Sequence, residues 1–170
     1  GPLKYTFNEC KERQLNLGLD LQGGMSTVLQ LSLVDLIKYL SSQTSDATFH
    51  QAIDMAIQNQ RNSDDNFVTL FGNAFNQIDP NARLAAIFST PELKDKVNFN
   101  STNEEVLAVL QEKADEAVES TFKIIRTRID QFGVASPNVQ LQKEKGRIFV
   151  ELPGVDNPER VTKLLEATAK

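Results

Sequence analysis

The chain has 170 residues, of which 40% are hydrophobic, and it carries a formal net charge of −5 at pH 7. A chain of this length buries about 70% of its unfolded surface, so it can form a hydrophobic core without disulfides or structural metals. The acidic balance argues against a nucleic-acid-binding function, because affinity for phosphate comes mostly from clustered Lys and Arg. Cys10 and His50 are the only residues of their types, so the sequence predicts no disulfide, no metal site or other cofactor, and no enzymatic activity.

The sequence has features that are expected of a piece of a longer protein. No apolar run reaches the roughly 18 residues that are typical of a membrane-spanning helix. Gly1-Pro2 is typical of the residues left by tag cleavage, so residues 1–14 are predicted to be a tag scar and a flexible lead. We expect the chain to be a fragment whose natural termini are missing.

A leucine alternation marks the first predicted strand. Leucine occupies every second position from Leu15 to Leu21, which is the period of a half-buried strand. Gly23-Gly24 interrupts this pattern, and the alternation resumes over Leu29, Leu31 and Leu33. The pattern predicts either one strand with a glycine bend or two short strands around a tight turn.

Residues 34–100 are predicted to form an inserted helical lobe of four or five short helices. Amphipathic segments alternate there with turn compositions, and Asp79-Pro80 and Thr90-Pro91 are each interpreted as a helix start. Most of the phenylalanines lie in this region. They either fill the lobe's own core, which we favour, or line a groove for unfolded chain: Phe49, Phe67, Phe71, Phe75, Phe88 and Phe99.

A long amphipathic helix follows the lobe. Residues 101–105 read Ser-Thr-Asn-Glu-Glu, which is a capping box, and an apolar stripe then continues to Ile129. Glu119 and Lys123 are spaced as a favourable i,i+4 ion pair. Gly133 is predicted to end the helix in a left-handed conformation, and Pro137 prevents its continuation.

The last third of the chain predicts a hairpin and a final helix. Residues 139–142 and 147–152 alternate across a turn in which Gly146 supplies a positive φ, and Pro153-Gly154 ends the second strand. A helix is then expected, with these signals: Asn157, Pro158, Val161, Leu164 and Leu165. The order predicts an α+β fold with a ferredoxin-like βαββα(β) base, formed by residues 15–33 and 101–170, whose last strand is missing.

Candidate chemical sites are few. The loop of Asp20, Gln22, Gly23 and Gly24 lacks the Lys-Ser/Thr of a phosphate-binding loop, so a structural turn or a hinge is favoured over anion binding. Arg126 and Asp130 have the spacing of a surface ion pair on one helix rather than of a catalytic pair.

Two blocks of the sequence resemble the SecD family of the bacterial Sec protein-export machinery. Residues 17–24, LGLDLQGG, resemble the opening motif of the family. Residues 126–142 and 147–160 resemble its RxRxxxxGVxEPxVQ and RIVVELPGVxDPER blocks. The chain departs from the pattern in its helical lobe and at Ser136, where the family has an acidic residue.

The resemblance implies three groups of motif residues. They are the loop just described (Asp20, Gln22, Gly23 and Gly24), a helix end and turn (Arg126, Arg128, Gly133 and Pro137) and a strand end (Glu151, Pro153 and Gly154). A swing about Gly23-Gly24 is the movement that the position of this loop in the family suggests. The resemblance assigns no role to the lobe and identifies no substrate-contact residue.

The resemblance also implies a function. The chain would be an extracytoplasmic (periplasmic) domain of an inner-membrane translocase subunit, SecD or the SecD half of a fused SecDF, that uses proton flow to assist late preprotein export. Its expected partners are unfolded preprotein, the Sec channel and a SecF-type subunit, with no nucleic acid and with the membrane reached only through the parent protein. An unfinished sheet edge could accept an extended strand. The alternative is a ferredoxin-like domain for small-ligand regulation or protein interaction.

Overall fold

The computed structural model describes residues 15–19 (backbone only), 24–155, 159, 163 and 165. This part of the chain is mixed α+β, with one antiparallel sheet and five α-helices. In chain order the elements are β1 (Leu15–Leu19), β2 (Gly24–Gln30), α1 (Leu33–Leu40), α2 (Ala47–Gln60), α3 (Phe67–Ile78), α4 (Leu84–Phe88), α5 (Asn103–Phe132), β3 (Asn138–Gln142) and β4 (Arg147–Pro153). No α-helix among them is both long enough and apolar enough to cross a membrane.

The chain divides into two compact units, a helical unit of residues 33–114 and a sheet unit formed by the residues on either side of it. Residues 103–114 of α5 belong to the helical unit, and the rest of α5 belongs to the sheet unit.

The sheet has the strand order β1-β2-β4-β3, and every neighbouring pair is antiparallel. β2 pairs with β4 over its full length, from Gly24 opposite Pro153 to Gln30 opposite Arg147. Alternate residues of these strands are buried, as the period of two requires. The core of the sheet unit is formed by buried residues of β2 (Met25, Leu29), of β4 (Ile148, Val150, Leu152) and of α5 (Val118, Ile125, Ile129).

The first predicted strand is two strands. β1 and β2 pair antiparallel on either side of residues 20–23, which lie outside the described residues. The second strand begins at Gly24 and ends at Gln30, so the expectation that Leu33 continues the strand is wrong, since Leu33 begins α1. The alternative of two short strands is therefore the correct one, and the sheet has four strands, one more than the three of the βαββα(β) order.

The helical unit is built around phenylalanine. Phe49, Phe71, Phe75 and Phe88 are fully buried, and the ring of Phe49 lies 5.6 Å from that of Phe71 and 6.0 Å from that of Phe88. The first pair is edge-to-face and the second is tilted, and such aromatic pairs stabilise a core in addition to their buried area. These rings fill the core of the lobe, as expected.

Phe99 departs from that expectation, because 71% of its surface is exposed. It lies in a tight turn between the last short helix of the lobe and α5, where no helical period directs a side chain inward.

One predicted helix start is wrong. Asp79-Pro80 begins a turn, since the Asp79 carboxylate accepts the backbone N–H of Asn81 at 3.0 Å and its carbonyl accepts that of Ala82. A side chain that bonds its own backbone two residues on stabilises a turn instead of a helix. The next helix, α4, begins only at Leu84. Thr90-Pro91 does precede a helical turn, of the 3₁₀ type, over Pro91–Leu93.

The predicted boundaries of α5 are confirmed. Thr102 Oγ1 accepts the N–H of Glu105 at 3.1 Å, and the Glu105 carboxylate accepts the N–H of Thr102 at 3.3 Å, which is a complete capping box. At the other end Gly133 has φ +80°, and its N–H bonds the carbonyl of Ile129. Gly146 in the hairpin turn also has the predicted positive φ, at +62°.

The final predicted helix falls mostly outside the described residues. Asn157, Pro158, Val161 and Leu164 lie there, whereas residues 159, 163 and 165 are helical and Leu165 is buried.

Candidate functional site

Of the four motif residues in the first block, only Gly24 is among the residues that the structure describes. Asp20, Gln22 and Gly23 lie outside the described residues. Gly24 is the first residue of β2 and is buried.

Gly24 meets the strand-end motif directly. It is the cross-strand partner of Pro153, and a Cβ atom added to it would lie 3.1 Å from the carbonyl oxygen of Leu152 and 3.1 Å from Cα of Pro153. Both neighbours are backbone atoms, which cannot rotate away as a side chain can. The close approach of two strands therefore favours glycine at this position, because a Cβ atom would need the backbone of β4 to move away by a few tenths of an ångström. The chain then turns at Gly154, whose φ is +77°.

The helix-end motif reaches the same end of the sheet. Asn138, the first residue of β3 and the neighbour of Pro137, pairs with Glu151, which also pairs with Ser26 of β2. The residues Gly24, Pro137, Glu151, Pro153 and Gly154 therefore gather at one end of the sheet, and we call this group the motif junction. The side chains of Pro137 and Glu151 are half-buried there, and Pro153 and Gly154 are exposed.

Arg126 and Arg128 lie on α5, before the turn at Gly133. Arg126 is exposed and Arg128 is partly exposed. Ser136, which stands where the family has an acidic residue, has an uncommon positive φ of 53° directly before Pro137.

An ion pair connects the hairpin turn to α5. Lys143, in the 3₁₀ turn between β3 and β4, donates to the carboxylate of Glu119. This bond and the charge of Lys143 lower the pKa of the Glu119 carboxyl, and the bond to Glu119 raises the pKa of Lys143. The sequence predicted Lys123 as the partner of Glu119. Lys123 exerts only a weaker charge effect, because the hairpin turn supplies a hydrogen-bonding cation that helix periodicity cannot reveal.

Lys96 and Glu112 form a second ion pair, inside the helical unit. Lys96 Nζ lies 2.7 Å from the Glu112 carboxylate, and this hydrogen bond lowers the pKa of Glu112. Both side chains are more than a third exposed, so the pair stabilises the unit only weakly.

Ligands for a metal do not converge in the part of the chain that the structure describes. No group of three or more His, Cys, Asp or Glu side chains is close enough there to hold an ion. His50 is exposed, and its Nε2 lies 2.7 Å from the carbonyl oxygen of Thr44, while Cys10 lies among the residues that are not described. The motif junction consists of glycine and proline residues with one carboxylate, that of Glu151. Such residues shape the path of the backbone where strands end.

Sequence reasoning missed one surface feature, the exposed ring of Phe99. The composition around it, Asn98-Phe99-Asn100-Ser101, is rich in turn-forming residues. That signal could have separated Phe99 from the five phenylalanines that carry helical spacing.

The described residues define an α+β class of domain, in which a helical unit is inserted between the two segments of a sheet unit. Sequence comparison identifies its family. Residues 118–170 match the family described as Protein translocase subunit SecDF, P1 domain, N-terminal. The SecD subunit of Rhodothermus marinus is 43% identical over 165 residues, which is 97% of this chain and 26% of that protein.

Other SecD subunits match over nearly the same range. That of Calditerrivibrio nitroreducens is 31% identical over 94% of this chain and 32% of its own length, and that of Escherichia coli K12 is 30% identical over 91% and 26%. No solved structure matches the chain. The chain belongs to the SecD family, as the sequence motifs indicated, and it spans about a quarter to a third of the length of these relatives.

Proposed function

We propose that this chain is an extracytoplasmic domain of a proton-motive-force-driven translocase accessory subunit, and that it assists late preprotein export by transient substrate contact and movement. The single observation that carries the proposal is the 43% identity to a SecD subunit over 97% of the chain. Similarity at that level over nearly every residue supports an equivalent place in the parent protein, an inner-membrane subunit that works with the Sec channel and a SecF-type partner.

Within this proposal the sheet unit is a ferredoxin-like base and residues 34–100 are an inserted lobe. β2 and β3 run in the same direction with β4 antiparallel between them, and α5 lies between β2 and β3 in the chain. This arrangement supports a split βαβ, the first half of a ferredoxin-like fold. The lobe is supported as a separate body by its own phenylalanine core.

The proposed movement is centred on the glycine loop. Gly24 is held in the β2–β4 ladder and packed against the backbone of β4, so the proposed hinge is placed on its N-terminal side. We place the hinge at Asp20, Gln22 and Gly23 and assign Gly24 to the fixed end of it. The alternative of a small-ligand regulatory domain is not favoured by the relatives, which are SecD subunits.

Exchange of the matching segment in a SecD subunit tests the proposal. We would replace the corresponding region of the Rhodothermus marinus subunit with this chain and follow the maturation of an exported preprotein in cells that lack their own SecD. Export at the level of the native subunit is expected. The increase in export that the hybrid gives should disappear when an uncoupler dissipates the proton gradient. An unrelated folded domain in the same place is the control. A hybrid that is folded and abundant but gives no more export than this control would contradict the proposal.

The hinge is tested separately in the same hybrid. Replacement of both Gly23 and Gly24 by Ala is expected to reduce export, and normal export would rule the hinge out. Because Gly24→Ala alone strains the sheet, it is the matched control: only a loss greater than that of Gly24→Ala is attributed to Gly23.

A further inference from the structure

The strongest unexplained feature of the described residues is the aromatic ring of Phe99. It is 71% exposed, while the other phenylalanines of the helical unit are buried in its core. Exposed apolar residues are common, but a large aromatic ring with most of its surface in water is an anchor in many protein interfaces.

The turn that carries Phe99 is held by hydrogen bonds among the residues before and after Phe99 in the chain. The N–H of Asn98 donates to Ser101 Oγ at 3.1 Å, and the N–H of Asn100 donates to the Asn98 side chain at 2.8 Å. Ser101 N–H donates to the Asn98 carbonyl at 3.0 Å, which closes the turn. The ring therefore projects from a backbone that is already ordered, and binding through it costs little additional conformational entropy.

A distant residue fixes the same turn. The guanidinium of Arg83, which immediately precedes α4, donates to the carbonyl oxygen of Phe99. This bond spans 16 residues of sequence and ties the turn to the start of another helix. A charged donor bound to a backbone carbonyl is stronger than a neutral hydrogen bond, so the turn is well fixed in the helical unit.

The charge of the helical unit indicates what the ring would contact. Residues 33–114 contain eleven Asp and Glu and six Lys and Arg, so the whole net charge of −5 lies in this unit and the rest of the chain is balanced. A unit with a net negative charge attracts cationic partners and repels anionic ones over several ångströms.

We infer that Phe99 is a contact point for apolar segments of unfolded, basic polypeptide, with the net negative charge of the helical unit supplying attraction for the flanking cations. The inference rests on the proposed function, because it assigns a residue and a partner chemistry to the substrate contact proposed there. A single ring gives weak and transient binding, as expected for a chain that must be released again.

A peptide titration of the full chain tests this inference. The probe is a short unstructured peptide of Leu, Ser and Gly that carries several Lys, and its matched control has Glu in place of every Lys. The Lys peptide is expected to shift the ring resonances of Phe99 and the amides of residues 98–101, with affinity that falls as salt is added. Equal binding of the Glu peptide would overturn the charge argument.

Phe99→Ala is the decisive variant. It is expected to weaken binding of the Lys peptide about tenfold, since most of an exposed ring would be buried on binding. Ile57→Ala is the control, because Ile57 is an exposed apolar residue on α2 of the same unit, and its loss should leave the affinity unchanged. Circular dichroism at the titration temperature should show that both variants remain folded.

The outcomes separate this inference from the proposed function. Unchanged binding by Phe99→Ala overturns the role of Phe99, whatever the exchanged segment does in cells. If Phe99→Ala weakens binding while the hybrid subunit fails to support export, the contact stands and the proposed function fails.

Discussion

Thr27 is the residue whose chemistry fits its position least well. Thr27 is fully buried on the apolar face of β2, and its hydroxyl has no hydrogen-bond partner there. A buried hydroxyl with no partner loses its hydration and gains nothing in exchange, which costs about 1–3 kcal/mol.

Thr27→Val is therefore expected to raise the free energy of unfolding by about 1 kcal/mol, because valine has nearly the same shape and no polar atom to desolvate. Urea unfolding followed by circular dichroism measures the change. The matched control is Thr121→Val on α5, where the buried hydroxyl donates to the Ala117 carbonyl at 2.8 Å and no gain is expected. Equal stabilisation by both substitutions would contradict the argument.

At the scale of elements, α5 is the best determined part of the chain. Its capping box begins the helix, Gly133 ends it, and its apolar stripe serves the cores of both units in turn: Val106, Leu110 and Ala114, then Val118, Ile125 and Ile129. Local signals and burial agree along its whole length, which is why its limits could be predicted from sequence.

Thr102→Ala removes the capping hydroxyl of α5 and is expected to lower the free energy of unfolding by about 1 kcal/mol. Thermal or urea unfolding checks it. Thr127→Ala in the same helix is the control, because that exposed hydroxyl only bonds the carbonyl of Lys123 within the helix, and its loss should change stability by less than about 0.5 kcal/mol.

The pair of Glu119 and Lys143 predicts a pH dependence of the hairpin turn. The folded state lowers the pKa of Glu119 below its ordinary value of 4.5, so its contribution is present above that pH and is lost as the pH falls through the folded pKa. Glu119→Gln is expected to lower the melting temperature slightly at neutral pH and to have no effect well below pH 4.5. A difference that stays constant across this range would show that the pair does not stabilise the fold.

At the scale of the whole molecule, the chain folds as two units with separate cores. The sheet unit buries alternate residues of its strands against α5, and the helical unit buries phenylalanines from α2, α3 and α4. A unit with its own hydrophobic core is able to fold alone.

The isolated segment of residues 33–114 is therefore expected to be helical and to unfold in one cooperative transition. Circular dichroism at increasing temperature measures this. The substitution Phe71→Ala in the same segment should abolish the transition or lower its midpoint strongly. Truncation of a fully buried phenylalanine lowers the free energy of unfolding by about 3–5 kcal/mol. A gradual, non-cooperative loss of helix in the unsubstituted segment would show that it needs the rest of the chain.

The sequence by itself determined the local features of this protein. Caps, glycine turns and apolar periods act within a few residues, so they predicted α5, the hairpin at Gly146 and the segments of α1, α2 and α3. The motifs also identified the SecD family. The tertiary structure alone decided that the motif segments meet at one end of the sheet, that Gly24 is packed against the backbone at Pro153 and that Glu119 pairs with Lys143. These features depend on contacts between residues far apart in the chain, and no local period or composition encodes such contacts.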